Sequence, residues 1–189
     1  MSTAALPGFA SPAVGFDQPF EMLHACHDRV ERTLSLLARL VAHVRDHGHC
    51  EDSRSAARDV LRYFDLAAPH HHQDEERHVL PPLLASKDAA QRALAEQLIA
   101  DHRRMEMLWA VVRGPLQQWA EAQPTATATA FAQPQALAEF TALYADHIAR
   151  EEGRAYPLVL AVLDTATLAA MGAEMAARRR PGRCGMMPT

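Results

Sequence analysis

Two segments of the chain repeat one pattern of residue types that can bind a metal ion. Residues 71–81 and 147–157 each contain a histidine, a glutamate four positions later, a second glutamate directly after it, and a proline ten positions after the histidine. A lone histidine precedes each segment, His27 by 44 positions and His102 by 45. The chain therefore reads as two similar halves, and such a repeat predicts two similar helical hairpins packed together.

The chemistry that suits these residues is metal ligation. Positions i and i+4 lie on one face of an α-helix, so Glu75 and Glu151 stack beside their own histidines. Carboxylates buried without compensation are costly, and a cation removes that cost because carboxylates and neutral imidazoles donate lone pairs to it. Mixed nitrogen and oxygen ligands suit iron, manganese or zinc, and two paired HxxxE helices indicate two ions. The predicted metal ligands are His27, His71, Glu75, His102, His147 and Glu151.

Helices must position these residues at one level. Apolar residues recur in steps of three and four around each predicted histidine, which is typical of amphipathic helices. The four apolar stripes run from Phe20 to Val44, Leu61 to Glu75, Ala95 to Leu116 and Leu137 to Leu158. The midpoints between successive histidines fall in turn-like sequence, beside Gly48, Ser86 and Pro124. In an antiparallel bundle the four histidines would therefore meet in one layer.

We expect an all-α chain, because no segment of useful length alternates between apolar and polar residues. The predicted architecture is an antiparallel up-down-up-down four-helix bundle, followed by a short helix near Thr165–Arg178. The expected parts are an arm at residues 1–18, the bundle at 19–164, and the short helix with its tail at 165–189. Residues 121–133 predict a flexible connection, and Pro69 predicts a bend in the second helix.

The duplicated set resembles the hemerythrin family, in particular its bacterial HHE cation-binding branch. The six predicted ligands and the following prolines, Pro81 and Pro157, carry the likeness, which covers about residues 20–160. The resemblance implies a hemerythrin-like four-helix bundle with two iron ions joined by an oxo or hydroxo bridge, with zinc or manganese as alternatives. It also implies binding of O2 or another small diatomic ligand, sensing of oxygen or iron, or repair under nitric oxide stress.

The chain departs from invertebrate hemerythrins in its histidines. Those proteins use five histidines and two carboxylates, and their third helix carries two histidines at i and i+4, whereas here the residue four after His102 is Glu106. Water, Glu106 or another histidine can fill that position. Because the fifth histidine is missing, reversible oxygen carriage is less expected than metal binding. The candidates for a further ligand, or for a group that hydrogen-bonds a ligand, are His24, His72, Glu76, Glu106 and Tyr144.

Residues beside the predicted ligands have other expected places. Glu76 and Glu152 lie off the apolar stripes, and we expect them at the surface or as groups that orient the ligand histidines. His70 and His72 flank His71 and cannot share its direction. One of them could hydrogen-bond a ligand, but we expect both to face solvent.

Composition excludes several classes of function. The 189 residues have a formal charge of −4 and no basic run that suits nucleic acid, apart from Arg178–Arg180 near a helix end. No apolar run is long enough to span a membrane, and the N-terminal residues do not resemble a secretion signal. Three cysteines at unrelated spacings favour a reducing cytoplasm. We therefore expect a cytoplasmic protein without nucleic-acid or membrane partners, and the sequence identifies no protein partner.

Three functions agree with these patterns. The favoured one is a di-iron protein that binds O2 or senses oxygen or iron. The second is a redox enzyme at the same centre, acting on peroxide or nitric oxide or donating iron. The third is a metal-stabilised structural or storage bundle. A binding protein is expected over an enzyme, and we assign no catalytic residue. No Ser/His/Asp array, phosphate-loop or nucleotide motif occurs, so ordinary hydrolase and kinase functions lack support.

Overall fold

The computed structural model describes residues 14–123 and 131–179. In these ranges all regular structure is helical, as the sequence predicts. The helices are α1 (Pro19–His47), α2 (Glu51–Arg62), α3 (Ala68–His78), α4 (Leu80–Leu84), α5 (Ala89–Glu121), α6 (Pro134–Arg150), α7 (Tyr156–Leu160) and α8 (Thr165–Arg178), with π-helical segments at Tyr63–Ala67 and Glu151–Ala155. Residues 1–13 of the predicted arm, 124–130 of the predicted connection and 180–189 of the predicted tail lie outside the described residues. None of the described helices is both long and apolar enough to cross a membrane.

Local sequence signals fix where several helices begin and end. Gly48 follows α1 with a φ of 83°, a conformation that suits glycine, and its N–H donates to the carbonyl of Val44 at 3.0 Å. Asp88 caps α5, because its carboxylate accepts from the N–H of Ala90 at 2.8 Å. Asp164 caps α8 in the same way.

Each π-helical segment ends two residues before a proline. Tyr63–Ala67 precedes Pro69, and Glu151–Ala155 precedes Pro157. Proline lacks an N–H, and in an α-helix its ring clashes with the carbonyl four residues back. That carbonyl lies inside the π-helical segment in both cases, so the wider turn relieves the clash and the chain continues as a helix.

The helices pack around two apolar clusters with a polar layer between them. α2 packs against both α1 and α5, and α5 also packs against α6. The first apolar cluster includes Val30, Phe64, Met105 and Phe140, and the second includes Leu23, Val79, Leu98 and Tyr156. On α1 and α5 the chain passes from the second cluster to the first. From the π-helical segment at 63–67 to α4, and again from α6 to α7, it passes from the first cluster to the second.

The C-terminal helix α8 covers the second apolar cluster. Met171 and Met175 are buried in that cluster, and α8 packs against α1 and α3. Arg178 and Arg179 both bind the carboxylate of Asp74 on α3, which is fully buried. The helix is therefore held by apolar burial together with an ion pair.

A side chain at position 172 should weaken the docking of α8. An ideal Cβ on Gly172 would lie 1.8 Å from the carbonyl oxygen of Phe16, a backbone atom that no rotamer change can move aside. We expect Gly172→Ala to lower the free energy of unfolding by about 1–3 kcal/mol, the usual cost of overpacking. Thermal unfolding followed by circular dichroism measures this loss. Gly114→Ala is the control, because a Cβ there meets no atom of the described residues within 4 Å. Equal melting temperatures for the two variants would contradict the contact.

Candidate metal centre

Four histidines and two glutamates fill the polar layer. They are His27 on α1, His71 and Glu75 on α3, His102 on α5, His147 on α6, and Glu151 at the start of the second π-helical segment. All six are at most 2% exposed. The structure therefore brings the six sequence-predicted residues together in the core.

The six side chains form two groups that share both glutamates. Ligand atoms of His27 and His71 lie within 4.8 Å of one another and of oxygens of Glu75 and Glu151. The imidazoles of His102 and His147 form the second such group with the same two carboxylates. Each group could hold a metal ion.

Each shared carboxylate turns one oxygen to each histidine pair. Oε1 of Glu75 lies 3.2 Å from Nε2 of His71, and its Oε2 lies 3.4 Å from Nε2 of His102. Oε2 of Glu151 lies 3.1 Å from Nε2 of His27, and its Oε1 lies 3.1 Å from Nε2 of His147. Each carboxylate therefore contributes one oxygen to each of the two groups.

Carboxylates outside the layer bind the far nitrogen of three of the imidazoles. Nδ1 of His27 donates to Glu152 at 2.8 Å, Nδ1 of His102 to Glu76 at 3.2 Å, and Nδ1 of His147 to Asp101 at 3.3 Å. A neutral imidazole with its proton on Nδ1 presents a lone pair on Nε2. The three Nε2 atoms therefore face the centre as metal ligands do, and their partners fix the ring orientations.

The nitrogen and oxygen atoms at the centre are arranged to bind a cation rather than to hydrogen-bond one another. When both rings are neutral and protonated on Nδ1, the Nε2 atoms of His102 and His147 face each other at 3.1 Å with a lone pair each. Among the described residues, both oxygens of Glu151 and Oε2 of Glu75 have no hydrogen-bond partner, although imidazole nitrogens lie 3.1 to 3.4 Å away. Buried unpaired acceptors are costly, and a positive ion between them removes that cost.

The negative potential of the layer also shows in its histidine pKa values. Burial lowers the pKa of His27, but the carboxylates of Glu151 and Glu75 beside it outweigh burial and raise the pKa to about 11. Burial likewise lowers the pKa of His147, yet Glu151 and Asp101 raise it to about 9. Burial dominates at His71, whose pKa falls to about 4. A proton can thus take the place of a metal cation at some of these imidazoles.

The residues predicted beside the ligands occupy different places. Glu76 and Glu152 orient ligand histidines. The exposed His24 donates from Nδ1 to Glu152 at 2.9 Å. His24, His27 and Glu152 thus form a third group of possible metal ligands. Glu106 is exposed and pairs with Arg103 at 3.6 Å, so the structure does not bring it to the layer.

The expectation that His72 faces solvent is wrong. His72 is 8% exposed, and its ring stacks on His102 with a centroid distance of 4.1 Å. Its Nε2 lies 3.5 Å from the hydroxyl of Tyr144, which is also buried. His71 points towards α1, where it meets His27, while His72 points towards α5 and α6. Neighbouring helices therefore cover both positions, whereas His70 remains partly exposed.

Sequence reasoning missed Asp101 and Tyr156. Asp101 is buried and remains ionised, because hydrogen bonds from His147 and Gln97 outweigh the effect of burial and lower its pKa. The Tyr156 hydroxyl donates to Oε1 of Glu75 at 2.5 Å. The signal for Asp101 was its place directly before a predicted ligand. Tyr156 precedes the proline of the second repeat, where the first repeat has Leu80.

Comparison with known families agrees with this geometry. The family model of the hemerythrin HHE cation-binding domain matches residues 18–159. The chain belongs to this family. A relative from Haemophilus influenzae, an uncharacterized protein, is 28% identical over 165 residues, which cover 87% of this chain and 92% of the relative. The hemerythrin-like chain thus has a cation-binding domain with buried histidine and glutamate clusters that could hold metal.

The raised pKa values predict how stability of the metal-free protein depends on pH. Both values exceed the ordinary histidine value of about 6.5, so the stabilisation by protonated His27 and His147 is complete below about pH 6.5. It is lost as pH rises through about 9 and then about 11. We expect the melting temperature of the chelator-treated protein to fall between about pH 7 and about pH 10.

Thermal unfolding of the chelator-treated and metal-loaded protein measures this effect. The loaded form is the control, because a metal ion on these nitrogens replaces the protons. A metal-free melting temperature that stays level or rises over this range would contradict the assigned potential.

Proposed function

We propose that this hemerythrin-family chain binds two metal ions, of which iron fits best, and through them O2 or another small diatomic molecule. The observation that carries the proposal is the pair of shared carboxylates, Glu75 and Glu151, each with one oxygen turned to each histidine pair. One ion would lie at His27 and His71, which we name position A. The other would lie at His102 and His147, which we name position B.

The donor set supports iron over softer metals. Each position offers two imidazole nitrogens and one oxygen from each shared carboxylate. Imidazole and carboxylate ligands suit iron, zinc and manganese, and sets of two histidines and a carboxylate with open positions are typical of non-haem Fe(II). Bound iron would supply the redox chemistry that O2 binding requires, so two irons are proposed, with manganese or zinc as the alternatives.

The surroundings support a small ligand. Apolar clusters flank the layer on both sides, and the six ligands are almost completely buried. Such surroundings exclude bulk water and strengthen every electrostatic contact inside. The Tyr156 hydroxyl is a donor within the layer, because burial and the charges of Glu151 and Glu75 raise its pKa well above the ordinary value. The chain itself thus provides dry surroundings, fixed imidazoles and a proton donor.

The helix order supports an up-down-up-down bundle as part of this proposal. The chain crosses the polar layer from the second apolar cluster to the first and back, twice in succession. We accordingly assign metal binding to residues 19–164. Residues 1–18 and 165–189 would be accessory parts, and α8 would close one end of the bundle.

A second candidate is redox catalysis at the same centre, and a surface pocket favours it. The pocket is lined by Phe64, His72, Met105, Glu106, Trp109 and Tyr144, among other residues. It reaches His72, whose ring stacks on the predicted ligand His102. Peroxide or nitric oxide could approach position B by this route. Turnover of hydrogen peroxide or nitric oxide by the loaded protein favours catalysis, and its absence with intact O2 binding favours the first candidate.

Metal analysis of anaerobically purified protein, with absorption spectra before and after exposure to O2, tests the proposed function. The expected result is two equivalents of iron per chain and a spectral change that reverses when O2 is removed. A colourless protein that contains zinc and does not respond to O2 would instead indicate a metal-stabilised structural bundle.

Alanine variants test the ligand assignment. Losing a group that hydrogen-bonds a metal ligand usually weakens metal binding by about 10–100-fold. We expect His71→Ala and His147→Ala, which remove a ligand itself, each to weaken metal binding by more than this. His47→Ala is the matched control, because His47 is exposed at the end of α1. Metal content after dialysis against a weak chelator is the readout. Equal retention in the three variants would contradict the assignment.

A further inference from the structure

The two halves of the centre match in their ligands and in one outer carboxylate each. His27 corresponds to His102 in the sequence repeat, and His71 corresponds to His147. Glu152 from the second half binds Nδ1 of His27, and its counterpart Glu76 from the first half binds Nδ1 of His102. To this extent positions A and B are alike.

The halves differ at the remaining pair of imidazoles. Nδ1 of His147 donates to the buried carboxylate of Asp101 at 3.3 Å, and Gln97 and Arg150 hold that carboxylate in place. Nδ1 of His71 is buried and has no hydrogen-bond partner in the part of the chain that the structure describes. The residue that corresponds to Asp101 in the first half is Cys26, directly before His27. Position B therefore has two imidazoles supported by carboxylates, and position A has one.

Tyr156 adds a second, independent difference. Its hydroxyl donates to Oε1 of Glu75 at 2.5 Å, and that oxygen is the one turned towards position A. The same hydroxyl lies 3.2 Å from Nε2 of His27. The corresponding residue of the first half is Leu80, which cannot donate. That hydrogen bond takes one lone pair of Oε1 and makes this oxygen a weaker donor to an ion at position A.

One contact favours position A. Glu152 lies 2.8 Å from Nδ1 of His27, closer than Glu76 lies to His102. The same oxygen of Glu152 also binds the exposed His24, at 2.9 Å, so this carboxylate is divided between two imidazoles. It does not supply His71 with the partner that His147 has.

We propose that position B binds its metal ion more tightly than position A and fills first, because Asp101 supports His147 while His71 lacks a carboxylate partner and Tyr156 occupies an oxygen of Glu75. This inference rests on the proposed two-ion centre. A carboxylate on the far nitrogen orients the ring and raises its basicity, and removing such a partner usually costs about 10–100-fold in metal affinity. The ion at His27 and His71 is then the exchangeable one, and Asp101 is a positioning residue.

Anaerobic titration of the full-length, chelator-treated protein with Co²⁺ tests the order of filling. Isothermal titration calorimetry should resolve two steps whose dissociation constants differ by about 10–100-fold. Anomalous X-ray scattering from crystals of protein loaded with one equivalent should place the cobalt between His102 and His147. Cobalt found first at His27 and His71, or divided equally between the positions, would overturn the proposal.

Two variants separate the causes. Asp101→Asn keeps the shape of the side chain but removes its charge, so it should weaken the tight step by about tenfold. Tyr156→Phe removes the competing donor and should tighten the weak step. Asp146→Asn is the matched control, because Asp146 is exposed on α6, next to His147 in sequence, and both binding constants should stay unchanged. Circular dichroism of each metal-free variant verifies its fold, and an Asp101→Asn protein with unchanged constants would refute the role of Asp101.

The same titration distinguishes this inference from the proposed function. Total uptake of fewer than two equivalents by the unmodified chain would contradict the two-ion centre itself. Two equivalents taken up in a single indistinguishable step, or in the reverse order, would leave the centre intact and overturn only the inequality between its positions.

Discussion

When His27, His102 and His147 are neutral and protonated on Nδ1, their inner nitrogens and the carboxylate oxygens of the polar layer face one another with lone pairs. Outer carboxylates accept hydrogen bonds from the Nδ1–H of three imidazoles, so the inner nitrogens meet carboxylate oxygens, and in one case each other, at 3.1 to 3.4 Å. In a buried layer such an arrangement is costly unless positive charge lies within it. The raised pKa of His27 reflects the same demand, which a proton or a metal ion can meet.

The rest of the described bundle keeps this layer buried and in register. Apolar clusters on both sides exclude water, and α8 covers the far side of the second cluster. The first π-helical segment lets the chain continue as a helix past Pro69 into α3, which carries His71. The second lets it continue past Pro157 in α7. Glu151 is itself the first residue of a π-helical segment, so one bridging carboxylate is positioned by a wider helical turn.

The helical periodicity and the duplicated HxxxE pattern were enough to predict an all-α chain of the hemerythrin family and to predict which six residues meet. Periodicity defines one face of a helix, however, and does not say which residues of other helices meet that face. His72 was misplaced for this reason, since α5 and α6 cover the side of α3 that a single apolar stripe leaves to solvent. Asp101 and Tyr156 were missed because each acts on a ligand from a different helix.

The repeat also explains why the centre is nearly, but not fully, symmetric. The two halves exchange their outer glutamates, yet they differ where Asp101 corresponds to Cys26 and Tyr156 to Leu80. X-ray absorption spectroscopy of the metal-loaded protein at the metal edge tests the shared layer most directly. Our account predicts imidazole and carboxylate scattering together with a second metal about 3.5–4 Å from the first, the spacing of two-metal sites. Spectra with thiolate ligands, or with a single isolated ion at full loading, would contradict it.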